Sequence, residues 1–163
     1  MSDSDVRTER SRRSGTLGAS STADFASLAL RLAVGTVLAY HGWLKIPDVA
    51  GFTGFVESLG VPAPELVAYV VTYLEFLGGI ALIIGLATRY VAALFVVEMV
   101  FTISLVKLDV GLIAAEGVGA ELDILILATA LSLVLTGAGR WSVDALFVGR
   151  RRVTDSTVQH PVE

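Results

Sequence analysis

Cysteine is absent from this 163-residue chain, which excludes a disulfide framework, a thiol–disulfide relay and thiolate-held zinc or iron–sulfur clusters. Histidine is nearly as scarce: the two are His41 and His160, and His160 lies in a polar C-terminal tail. A single histidine in the apolar body excludes a bis-histidine haem within one chain, and no metal site is expected. Charge is thin too. Asp, Glu, Lys and Arg make up 17% of the residues, against about 25% in ordinary soluble domains. No short apolar segment with a small-residue cleavage site follows the polar N-terminus, so no cleavable signal peptide is expected. No motif for a nucleotide, a flavin or nucleic acid is present.

What is abundant is apolar length. Hydrophobic residues make up 54% of the chain, and the mean hydropathy is +0.73. Four apolar runs, at 25–46, 65–86, 90–107 and 121–136, predict helices of roughly 16–22 residues, about 24–33 Å long and matched to a hydrocarbon core of ~30 Å. Helices of a soluble protein would show a polar face; these are apolar nearly all round. The expected fold class is all-α, an integral membrane four-helix bundle occupying residues 25–147, with the shortest span accommodated by local thinning. Residues 1–24, with Arg7, Arg10, Arg12 and Arg13 among Ser and Asp, have too little apolar surface to fold and read as a disordered tail. Residues 148–163 form a second tail.

The arginines set the orientation. All ten lie in or near segments on one side: Arg7, Arg10, Arg12, Arg13, Arg31, Arg89, Arg140, Arg150, Arg151 and Arg152. The opposite side holds Lys45 and Lys107 among Asp48, Glu57, Asp109 and Glu116. By the positive-inside rule the arginine side, with both termini, is cytoplasmic. Arg89, Arg140 and the cluster Arg150 to Arg152 then face the membrane surface or a partner. In the first outer loop Phe52, Phe55, Val56 and Leu59 recur at helical spacing before Gly60 and Pro62, which predicts a short amphipathic helix on the outer interface or folded back over the bundle. Gly35 and Ala39, Gly78 and Gly79, and Ala81 and Gly85 mark places where helix backbones approach closely.

Ionisable groups inside a span are costly unless paired or hydrated. Arg31 and Glu98 enter their helices to similar depth from the cytoplasmic side, which predicts an intramembrane ion pair. His41 and Lys45, four apart on helix one, converge with Glu75 near the middle of helix two and Asp123 at the outer start of helix four. Glu121 caps that start. The set forms a candidate outward-facing polar pocket able to bind an anionic or quinone-like head group and to shuttle a proton.

The chain resembles the DoxX family of small four-helix bacterial membrane proteins. The resemblance rests on Arg31-x3-Gly35 and His41-Gly42-x2-Lys45, then Gly54-Phe55, Leu59-Gly60-Val61-Pro62, Glu75-x2-Gly78-Gly79, Gly85 and Thr88-Arg89. It ends in Leu135-Thr136-Gly137-Ala138-Gly139-Arg140-Trp141-Ser142-Val143-Asp144. The resemblance implies a bacterial cytoplasmic-membrane protein linked to redox metabolism. Family relatives include a small subunit of a thiosulfate:quinone oxidoreductase and a protein associated with superoxide dismutase and a sulfurtransferase. The residues carried over are Arg31, His41, Lys45, Glu75, Arg89 and Arg140.

Three functional expectations follow. The first is a membrane subunit of a quinone- or sulfur-linked redox system, with no covalently bound cofactor and a quinone as its ligand; the enzymatic role is at most that of an oxidoreductase subunit. The second is a non-enzymatic scaffold holding soluble redox proteins of an oxidative-stress system at the membrane through the arginine-rich tails. The third is small-molecule or lipid transport by a homo-oligomer. Beyond these, the lipid bilayer is the expected partner.

Overall fold

A computed structural model describes residues 3–108, 110–114 and 119–147, with side chains from Ser21 onward. Among the described residues the chain is entirely helical. Helix α1 spans Asp3–Lys45, so the backbone is helical well ahead of the first apolar run, where the composition reads as unfolded. A helix anchored by its apolar half adds one backbone hydrogen bond for each further residue it fixes. A 3-10 turn, Ile46–Asp48, leads into α2, Val49–Ser58, in the first loop. The turn carries Pro at its start, and Asp48 caps α2 by accepting a hydrogen bond from Gly51 N (2.9 Å). Helix α3 is Pro64–Ile84 and α4 is Thr88–Lys107; α5 is Glu121–Thr136.

Three helical stretches are long and apolar enough to cross a membrane: Ser21–Ser58, Pro64–Ile84 and Thr88–Lys107. Large side chains such as Leu77, Leu94, Phe101 and Leu125 point outward. Such a continuous apolar exterior suits hydrocarbon and not water.

Helix α1 packs on α3 and α5, α4 packs on α5 and α3, and α2 lies on α3. The shared core holds Val34 and Leu38 from α1, Leu82 from α3, Phe95 and Met99 from α4, and Leu133 from α5. Small residues set the closest approach. A Cβ on Gly79 would stand 2.8 Å from Ala39 Cα, and one on Gly42 would stand 2.8 Å from Phe76 Cα. Thus α1 and α3 meet almost backbone to backbone, as the Gly35/Ala39 and Gly78-Gly79 spacing suggests.

Two features position polar residues. The turn between α3 and α4 is closed by Gly85 at φ 73°, with Leu86 N bonded to Ala81 O (2.8 Å) and Gly85 N to Leu82 O (3.1 Å). This paired bonding satisfies the last carbonyls of α3 and turns the chain straight back. In addition, α3 widens to a π turn at Leu74–Gly78. The extra residue shifts the helix register, and Thr72, Glu75, Gly78, Gly79 and Leu82 are all buried.

Candidate functional site

At the end of α1 away from the α3–α4 turn, Lys45 forms an ion pair with Glu75. The lysine stem reaches this position because α1 and α3 pack so closely around Gly42, three residues earlier. Lys45 Nζ also lies 4.8 Å from the ring centre of Phe52 on α2, a cation–π contact that covers the pair from the loop side. Glu75 is 5% exposed and Glu98 9%. The buried Glu98 carboxyl lies near Glu75, within the fields of Lys45 and Asp123. Asp123 in turn lies within the fields of Lys107, His41 and Glu121.

The structure thus joins Lys45 to Glu75, with Glu98 and Asp123 near them, while the side chain of His41 is exposed and acts on the group through its field on Asp123. Among the described residues four buried side-chain oxygens have no hydrogen-bond partner: Thr72 Oγ1, Thr88 Oγ1, Glu98 Oε2 and Glu121 Oε2. Thr72 lies one helical turn before Glu75, on the same face of α3. Orphaned buried polar atoms carry a desolvation cost; those of Thr72 and Glu98 lie close to the Lys45–Glu75 pair, whereas Thr88 Oγ1 and the likewise unpartnered Arg31 Nε lie at the turn end.

The expected ion pair between Arg31 and Glu98 is not formed: among the described residues the ion pairs are Lys45–Glu75 and Arg140–Asp24. Arg31 is completely buried and donates to backbone carbonyls, through Nη2 to Trp141 O (2.6 Å) and through Nη1 to Leu82 O (3.5 Å). Glu98 stands level with Glu75. Leu82 is seven residues nearer the α3–α4 turn, so about 10 Å along the helix axis separates the two groups. Equal depth measured from each helix start misplaced them, because the starts themselves are not level. The correct register was readable from the short turn: Glu75 is eleven residues before Leu86, and Glu98 eleven after Ala87.

Arg31 belongs to a second polar assembly, at the turn end of the bundle. Asp144 accepts hydrogen bonds from Ala87 N (2.7 Å) and Thr88 N (2.9 Å). It thereby caps the first turn of α4 from a distant part of the chain, and its charge also acts on Arg31. Asp144 N donates to Gly85 O (3.0 Å), and Ser27 Oγ to Gly137 O (2.7 Å). A Cβ on Gly85 would stand 3.0 Å from Arg31 Cζ, so glycine there serves both the turn and the guanidinium. Arg89 donates to Leu135 O (3.3 Å). Arg140 donates its backbone N–H to Asp24 (3.0 Å) and sets its Nε 3.9 Å from the same carboxylate. Arg150, Arg151 and Arg152 lie outside the described residues. Asp144 was not assigned a role from the sequence; its signal was a lone acid after a Gly-Ala-Gly turn.

Comparison with known proteins agrees with this layout. The chain is 33% identical over 129 residues to "Putative oxidoreductase CatD" of Bacillus subtilis, covering 78% of this chain and 92% of that protein. It is 33% identical over 128 residues to "Uncharacterized membrane protein Rv3486" of Mycobacterium tuberculosis, covering 72% and 78%. It is also 33% identical over 129 residues to "Inner membrane protein YqjF" of Escherichia coli, covering 76% and 92%. No solved structure matches it. The DoxX family model matches residues 26–108, a stretch holding Arg31, His41, Lys45, Glu75 and Glu98, and the chain belongs to the DoxX family of membrane proteins.

Proposed function

We propose that this protein is a four-span subunit of a redox system in the bacterial plasma membrane, binding a quinone head group or a small sulfur-linked substrate among His41, Lys45, Glu75, Glu98 and Asp123. The observation that carries this reading is the Lys45–Glu75–Glu98 contact, buried at mid-helix beside orphaned oxygens. An intramembrane group of this kind is expensive to keep for structure alone. A relative named as an oxidoreductase supports the reading.

The donors present suit a quinone. The Lys45 ammonium and the Thr72 hydroxyl can donate to carbonyl oxygens, and Glu75 holds the ammonium in place. Glu75 and Glu98 stand next to that position as proton carriers, with Asp123 and His41 toward the outer end. When bound, a quinone supplies two-electron, two-proton chemistry; the electrons come from a donor on a partner protein, since this chain has no cysteine. Purification with native lipids, followed by mass spectrometry for quinones, tests the proposal. Wild type should retain a quinone and Lys45→Met should lose it; a wild-type preparation that holds none and takes up no added menaquinone would overturn it.

In this reading α5 is the fourth span, α2 lies on the outer interface, and both termini are cytoplasmic. The arginine distribution supports that orientation. Single cysteines report on it cleanly because the native chain has none. A cysteine at Ser14 should resist a membrane-impermeant thiol reagent in intact cells, and one at Ser58 should react.

A further inference from the structure

The turn end of the bundle carries an open groove of about 750 Å³, lined by Arg89, Tyr90, Arg140, Asp24 and Phe147 among others. Its two arginines differ from Arg31, which is sealed inside. Arg89 has one hydrogen bond, through Nη2, and its side chain is exposed. Arg140 keeps a 75% exposed side chain, and its Nε stands 3.9 Å from Asp24, too long for a hydrogen bond. The carboxylates lining the groove are already committed. Asp144 caps α4, and Asp24 accepts from the Arg140 backbone. Arg89 and Arg140 therefore keep N–H donors that no partner in the groove uses.

The rim is aromatic. Phe25, Tyr90, Trp141 and Phe147 are 61%, 80%, 56% and 56% exposed, and Phe25 meets Trp141 edge to face. Exposed aromatic rings at the end of apolar helices mark head-group depth in a bilayer. A free anion would leave these rings uncovered, whereas a phospholipid brings a phosphate for the arginines and acyl chains for the rings.

We infer that the groove between the α3–α4 turn and the segment after α5 binds the head group of an anionic phospholipid, its phosphate held by Arg89 and Arg140. Two arginines near a surface each contribute on the order of 1 kcal/mol toward anionic lipid, together corresponding to a selectivity of roughly thirtyfold over a zwitterionic lipid. This inference does not depend on the quinone reading, because the two sites lie at opposite ends of the helices.

Trp141 provides the measurement. A Trp43→Phe variant leaves it as the single tryptophan, next to the groove. The full chain, reconstituted in phosphatidylcholine vesicles, is titrated with bromine-labelled phosphatidylglycerol or bromine-labelled phosphatidylcholine, and quenching of Trp141 is followed. Phosphatidylglycerol should quench at roughly thirtyfold lower mole fraction, and Arg89→Gln with Arg140→Gln should erase the difference. Equal quenching by the two lipids in the Trp43→Phe parent, whose replaced ring is 56% exposed, would overturn the inference. So would reversal of the phosphatidylglycerol effect by inorganic phosphate at constant ionic strength, which would assign the arginines to the free anion.

Discussion

The two ends of the bundle each hold a cation between helices, Arg31 fully buried and Lys45 part-buried, and they treat it differently. At the turn end, Arg31 is held by neutral backbone carbonyls of two separate segments. The nearby acid, Asp144, is spent on capping a helix. At the other end, Lys45 meets a carboxylate directly, and a second carboxyl, Glu98, stands behind the first with an oxygen left over. A guanidinium that ties Trp141 to Leu82 acts as a clasp: its planar fork and permanent charge suit a fixed joint. A lysine paired with one acid and facing a second suits a site whose charge changes. Burial alone therefore does not separate a structural from a functional ion; the chemistry of its partners does.

The largest effect should follow from opening the clasp. Arg31→Ala leaves the Trp141 and Leu82 carbonyls unpaired and a hole where a fully buried side chain stood. A loss on the order of 3–5 kcal/mol is expected, read as a large fall in thermal midpoint in detergent. Retention of wild-type stability would show that the clasp joins nothing.

Lys45→Met should cost less, about 1–3 kcal/mol, because Lys45 is only part-buried and fills no closed cavity. Its decisive readout is quinone retention, and Lys45→Arg should restore stability more than it restores binding. If both properties fall in proportion in both variants, the Lys45 end is a clasp as well.

Gly79→Ala places a methyl against Ala39 in α1 and should cost about 1–3 kcal/mol through forced separation of α1 and α3. That separation would also stretch the Lys45–Glu75 contact, linking packing to the site. Asp144→Ala removes the cap on α4, an expected loss of about 1 kcal/mol by thermal unfolding. The smallest stability change is expected for Glu98→Gln, within about 0.5 kcal/mol, since the amide has nearly the same shape and adds no buried charge. Proton-coupled turnover should nonetheless fall, because an amide does not carry a proton as a carboxyl does. A Glu98→Gln variant with unchanged turnover would remove Glu98 from the site.

Much of the layout was legible in the residues. Hydropathy located α3 and α4, because apolar length is a local property that the bilayer reads segment by segment. The Gly35, Ala39 and Gly79 approach was legible for a related reason: a missing side chain announces where a neighbour can come close. His41, Lys45 and Glu75 were recognisable because polar groups inside apolar runs demand a partner. Which partner was harder. Arg31 and Glu98 looked complementary by charge and depth, yet depth was counted from helix starts that are not level.

By itself, the sequence determined that the chain is helical and apolar, where its second and third spans lie, and which polar residues need an explanation. These follow from composition over short stretches, where backbone hydrogen bonding and transfer from water act locally. Only the tertiary structure decided the pairing. It placed Glu98 behind Glu75, gave Arg31 to the carbonyls of Leu82 and Trp141, and spent Asp144 on α4. Those contacts join residues separated by up to 110 positions in Arg31–Trp141. They depend on helix register, on the π turn at Glu75 and on the close passage of α1 over Gly79, quantities that emerge only when the helices pack together.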